Sequence, residues 1–186
     1  MKRASSPALI ALIGLLACAP ATGQGHWHDV SDLEHALDAR DSATETLRLW
    51  CVDHQRGSDA SIHAVRERVE KPPPAEVLWQ LGASDPMSIH YRRVRLVCGE
   101  RTLSVADNWY RADQLTPAMN EALDHTDKPF GQVVGPLGLH RRAVSSKRPP
   151  VRSGFVLQRR AVLTNDRGQP FSAVREAYTA AVLERP

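Results

Sequence analysis

The chain has 186 residues, with 24 lysines and arginines against 21 aspartates and glutamates. That is about one domain's worth of core. Lys2 and Arg3 belong to an N-terminal leader. Without them 22 basic residues face 21 acidic ones, so the pI of about 9.0 is no argument for a nucleic-acid surface.

The leader covers residues 1–23. "MKR" is a short basic start and "ALIALIGLLACA" an apolar run too short and too early to span a bilayer comfortably. "APATGQ" then supplies small residues for cleavage after Ala21 or Gly23. This is the pattern of a secretory signal peptide, and it predicts a periplasmic or secreted protein whose folded part is a single domain over residues 24–186. Within the leader, "LLAC" also resembles a bacterial lipobox, which would leave Cys18 acylated and make the protein a membrane-anchored lipoprotein. Ordinary cleavage, with Cys18 discarded, is the alternative. Beyond the leader only Cys51 and Cys98 remain. An oxidising compartment permits one bridge between them, and two buried free thiols are equally compatible with their apolar settings.

Two helices open the mature chain, each with a capping box. Ser31 with Glu34 starts "SDLEHALDAR", and Ser42 with Glu45 starts "SATETLRLWCVDHQ". In the second, Leu47, Trp50, Cys51 and His54 recur at helical spacing and form one apolar stripe. "SIHAVRERVE" reads as a strand, and "KPPPAE" as a stiff loop because prolines cannot donate to a ladder. "HYRRVRLVC" is the next strand, turned by "GER" into "TLSVADNWY". Thr116 and Pro117 start a helix with Met119, Ala122 and Leu123 inward. "DKPFGQVVGPLGLHRR" is compact and apolar at its centre, and "SSKRPPVRSG" reads as an exposed linker. Two strand-like runs follow, joined at "NDRGQP". Helices first and an antiparallel meander with helical inserts afterwards make the fold α+β.

Phosphate-binding glycine loops, paired-cysteine zinc patterns and serine elbows are missing from the sequence. His26 and His28 in "HWH" stand at a ragged chain start without carboxylates and read as a terminus, not a metal site. His54 reads as a satisfied interior histidine. His140, Arg141 and Arg142 read most simply as a solvated basic patch. The unusual stretch is "HYRRVRLVC", with three arginines in a strand. Alternation puts Arg93 and Arg95 on one face with Tyr91, and Arg92 on the other with Val94 and Leu96. A charge on a buried face needs a partner or a ligand. Arg93 is therefore either a solvated edge residue or an anion receptor.

The order of "DSATETL", "HYRRVRLVCGERTLSVADNWY", "LTPAMNEALDHTDKPFGQVVG" and "DRGQPFSAVREAY" resembles the chorismate pyruvate-lyase family over nearly the whole mature chain. The resemblance implies an antiparallel sheet with helices on one face and helical flaps over a ligand cavity. It also implies a reaction without metal or organic cofactor, chorismate giving 4-hydroxybenzoate and pyruvate. Carried over by position, Arg93 would hold the ring carboxylate and Glu176 would manage the proton. Backbone groups at Ala43 and Phe130 would help position the substrate. One extra residue near Glu176 leaves Arg175 or Glu176 to occupy the inward position. The expected partner is a small aromatic carboxylate, with no nucleic acid and no membrane contact beyond a lipid anchor at Cys18. A non-catalytic periplasmic binding protein on the same fold is the second reading, and a structural lipoprotein domain the third. Arg93 and Glu176 on opposite sides of the sheet would leave only the third.

Overall fold

In the computed structural model, residues 29–54 and 61–184 are described. The segment 1–23 expected to be a leader, with Cys18, and also His26 and His28 lie outside them. Two helices, α1 (Val30–Asp38) and α2 (Ala43–His54), precede a sheet of six antiparallel strands. The strands are β1 (Ile62–Glu67), β2 (Ile89–Cys98), β3 (Arg101–Arg111), β4 (His140–Lys147), β5 (Phe155–Thr164) and β6 (Pro170–Thr179). Between them lie α3 (Ala75–Leu81), α4 (Pro117–His125) and α5 (Phe130–Val134). The strand order is β1-β2-β3-β6-β5-β4, so the two hairpins β2–β3 and β5–β6 meet in the middle through β3 and β6.

Local chemistry starts most of these elements where the sequence predicts. Ser42 Oγ accepts the Glu45 N–H at 3.2 Å at the start of α2, and Thr116 Oγ1 accepts the Met119 N–H at 3.2 Å ahead of Pro117 in α4. Gly99 turns β2 into β3 at φ +57, a conformation that L side chains resist. Three expectations are corrected. The cap of α1 is Asp29, which accepts from the N–H groups of Ser31 and Asp32, so the helix starts before Ser31. The loop after the prolines runs into α3, whose seven residues are too few to show a period. "HRRAVSSK", partly assigned to a linker, is edge strand β4. An edge strand with a mostly exposed surface needs no apolar run to reveal it.

The pleat divides the sheet into two unlike faces. Val94, Leu96, Ala106, Val174, Tyr178, Leu157 and Ala161 point to the face covered by four helices. There they build two cores, one under α1 and α2 around Leu33, Leu47 and Trp50, the other under α4 and α5 around Leu123, Phe130 and Phe171. The opposite face carries only α3, whose Val77 and Leu81 pack on Ile89, Trp109 and Ala173. Helices therefore cover one face and one short helix covers part of the other. A Cys51–Cys98 disulfide, with Cα atoms 5.8 Å apart, ties α2 to the end of β2. His54 fits its expected interior role, stacked on Trp50 at 3.8 Å with its ring nitrogens at the carbonyls of Trp50 (2.8 Å) and Glu184 (2.9 Å).

Candidate functional site

The seam between the two cores holds a narrow cleft. Its floor is the helix-covered sheet face, with Val94, Leu96, Ala106, Val174 and Leu163. Its roof is the start of α2, from Ser42 to Thr44, and the start of α5 at Phe130 and Gly131. The two helix starts are in close contact. A methyl group on Gly131 would lie 2.8 Å from Ser42 Oγ and 3.0 Å from Thr44 Oγ1, so glycine is what lets α5 approach. Asn108, Arg141 and Glu176 are polar groups on the walls.

Arg141 and Glu176 form the central pair. They come from β4 and β6, on the two sides of β5, and are joined by two hydrogen bonds of 3.2 and 2.5 Å. Their side chains are only 6% and 10% exposed. Tyr178 donates its hydroxyl to Glu176 Oε2 at 2.9 Å. Burial works to lower the Arg141 pKa, and the charges of Glu176 and Tyr178 outweigh it, leaving the guanidinium held above its ordinary value. Tyr178 is pushed well above the usual phenol range, first by burial and then by the Glu176 carboxylate.

A second arginine on this face, Arg159, pairs with Asp38 of α1 and donates to the Glu34 carbonyl at 3.4 Å. A third, Arg92, faces no carboxylate within ion-pair distance among the described residues. It is 1% exposed, and one nitrogen reaches the carbonyls of Thr126 (3.5 Å) and Lys128 (3.2 Å), while its Nε and Nη1 have no hydrogen-bond partner. Burial, and secondarily the nearby Arg66, lower its pKa. Arg92 stands two residues from Val94 on β2 and directly across from Asn108 on β3, both of which line the cleft.

Three of the four positions expected to share a site do so: Ala43, Phe130 and Glu176 all line the cleft. The inward position is Glu176, and Arg175 faces the other side, over the Trp109 ring at 5.0 Å. Arg93 is not in the cleft. The register Val94↔Ala106↔Glu176 sets Glu176 on the helix-covered face, whereas Arg93 pairs with Asp107 on the opposite one. There Arg93 donates to Glu67 at 2.7 Å and to Asp107 at 2.8 Å, from the two neighbouring strands. Glu67, and then Asp107, hold its pKa above the ordinary value. Cross-strand neighbours approach closely enough to neutralise such a charge, so no anion is needed.

Arg93 and Glu176 thus face opposite sides of the sheet, the outcome that leaves only the structural reading where Arg93 is the receptor, and the positions that sequence reasoning set aside are the inward ones. Alternation had already placed Arg92 with Val94 and Leu96. The same rule applied to "LGLHRRAV" puts Arg141 with Leu139 and Ala143, against the reading of a solvated patch. His140 is on the surface, 3.6 Å from Asp41 and 3.2 Å from Asp166. Among the described residues no cluster of three or more histidine, cysteine, aspartate or glutamate side chains could hold a metal ion, and no helix is long and apolar enough to cross a membrane.

No protein-family model matches the chain. Among solved structures, PhnF from Mycobacterium smegmatis superposes with a TM-score of 0.52 at 12% identity, covering 70% of this chain and 67% of that one. The effector domain of PhnF gives 0.50 at 11% identity, over 65% and 82%. YydK from Bacillus subtilis gives 0.47 at 14%, over 67% of this chain and 61% of that chain, so the present chain spans less than two thirds of it. At these identities the likeness is one of fold, the antiparallel α+β fold that chorismate lyase-like domains share with the C-terminal domains of GntR-family regulators. In sequence, the uncharacterized protein y4mC of Sinorhizobium fredii is 38% identical over 170 residues, spanning 78% of this chain and 71% of that protein. The chain belongs to the family of y4mC.

Proposed function

We propose that the domain binds a small aromatic carboxylate in the cleft between its two cores. The observation that carries this reading is the charge balance of the helix-covered face. Arg141 is neutralised by Glu176 and Arg159 by Asp38, but among the described residues Arg92 is buried beside the cleft with no ion-paired carboxylate, Asp124 acting on it only from a distance. A buried cation without an ion pair is costly, and an anionic ligand accepting from Arg92 Nε and Nη1 would reduce that cost. Phe130 and the aliphatic floor offer a flat apolar slot for the ring. Effector-domain neighbours with this fold support the same class of ligand-binding role.

Binding without chemistry fits the geometry best. Both oxygens of Glu176 already accept hydrogen bonds, two from Arg141 and one from Tyr178, so the group that would carry the proton is engaged. Cleavage of chorismate is the second reading, favoured by Ala43, Phe130 and Glu176 meeting in one cleft. The Cys51–Cys98 bridge supports an exported setting for either.

Calorimetric titration with 4-hydroxybenzoate tests the first reading. Wild type should bind, and Arg92→Met should weaken binding about tenfold or more, the worth of a charge-assisted hydrogen bond. Equal affinity in the variant would remove Arg92 from the site. Incubation with chorismate separates the second reading: pyruvate release above the uncatalysed rate would establish the lyase.

A further inference from the structure

At the open edge of β1, away from the cleft just described, three side chains stand in a row. Ser61 Oγ lies 2.7 Å from His63 Nε2, and His63 Nδ1 lies 3.1 Å from Asp127 Oδ2. With the Nδ1 proton donated to Asp127, Nε2 is left to accept the Ser61 hydroxyl proton, a tautomer assigned from the hydrogen-bond network. Strand alternation places Ser61 and His63 on one side of the chain, two residues apart. Asp127 arrives from the α4–α5 connection, which the edge itself holds: the Ala64 N–H donates to the Asp127 carbonyl at 2.7 Å. That bond fixes the carboxylate beside the imidazole by backbone.

We propose that Ser61, His63 and Asp127 form a hydrolytic triad acting on esters of short acyl groups. The order nucleophile, base and orienting carboxylate, with one ring nitrogen to each neighbour, is the proton-relay part of acyl transfer. Ser61 also borders a surface cleft with Ile62, Pro129 and Thr44 as apolar and hydroxyl-bearing walls and Arg48 at one side. The Arg48 guanidinium is held by two bonds to Glu45, at 2.8 and 2.7 Å, and so presents a fixed polar boundary. His63 and Asp127 are about half and more than two thirds exposed, so a soluble ester can reach the row.

The chemistry balances without a cofactor. Ser61 Oγ attacks the ester carbonyl carbon while His63 Nε2 takes the hydroxyl proton. The tetrahedral adduct collapses, the bond to the alcohol oxygen breaks, and His63 returns the proton to the departing alkoxide. Water then attacks the acyl-serine, giving its proton to His63, and the acid leaves as Ser61 is reprotonated. Ser61 and His63 are the catalytic residues, and Asp127 is a positioning residue.

The test uses the full chain with p-nitrophenyl acetate and, separately, a fluorophosphonate followed by peptide mass mapping. Wild type should carry the phosphonyl adduct on Ser61 and release p-nitrophenolate above buffer. Ser61→Ala should lose both, and His63→Gln should slow hydrolysis about 100-fold or more. Asp127→Asn should lower kcat with KM little changed, with part of the rate restored in Asp127→Glu, a split that a merely structural role would not produce. An unlabelled Ser61 in the wild-type chain, or undiminished hydrolysis by Ser61→Ala, would overturn the proposal, and the labelling arm does not depend on any variant folding.

Discussion

Arg141 shows how a single side chain can be both structural and part of a site. Its partner Glu176 satisfies it, and Tyr178 completes the set, in a setting with almost no water. Removing one member strands the other, so Arg141→Met should lower the urea midpoint by the equivalent of about 3 kcal/mol. Glu176→Leu should cost a similar amount. The double variant should recover much of the loss, because two apolar side chains leave no buried charge behind, and the coupling is read from the double-mutant cycle. Asp107 behaves differently, on the open face. Burial would raise its pKa, but hydrogen bonds from Tyr91, Lys71 and Arg93 prevail and hold it below the ordinary 3.8. A carboxylate depressed by folding stabilises the protein above its unfolded value and loses that contribution as pH falls through the folded one. Thermal unfolding should therefore show wild type melting above Asp107→Asn at neutral pH, with the two proteins converging as pH falls through 3.8 and below.

Among the elements, α2 has the largest duty. Its first turn roofs the cleft at Ser42 and Ala43, its middle fills the first core with Leu47 and Trp50, and its Cys51 is bonded to β2. The bridge closes a loop of 47 residues' separation. On the chain-entropy account such a closure is worth about 4 kcal/mol. A Cys51→Ala/Cys98→Ala chain should therefore melt on the order of 10 °C lower, by calorimetry in the absence of reductant. If reductant leaves the wild-type Tm unchanged, the bridge is either absent or without energetic weight. Strands β2 and β3 carry the opposite lesson, because each serves two environments at once. Odd-numbered β2 positions from Tyr91 to Arg95 meet carboxylates and solvent, whereas Arg92, Val94 and Leu96 are buried. The helical inserts α4 and α5 close the second core and place Phe130 over the seam.

For the whole molecule, the sheet is a partition between a helix-covered face with a seam and a charged face under α3. The y4mC family membership and the chorismate lyase-like fold both concern this scaffold, and the seam is where its two cores part. Much of this was legible in the sequence. Capping residues, period-2 runs and the "NDRGQP" turn are local signals, and local backbone preferences write them directly into residue order. They determined the α+β class, the hairpins, and the inward character of Leu47, Val94 and Leu123. Alternation likewise contained the correct facing of Arg92. The pairing of strands was beyond it. Whether Arg93 meets Glu67 and Asp107 or a ligand depends on which strands lie beside β2 and in what register, and no residue near Arg93 in the sequence encodes that. Arg141 and Glu176 are 35 residues apart and meet across β5. His63 and Asp127 meet only because the α4–α5 connection runs along the β1 edge. The sequence by itself determined the elements and their faces, since those follow from neighbours along the chain. The tertiary structure decided which charges are neutralised and which is left without an ion pair, since electrostatic balance is settled by neighbours in space.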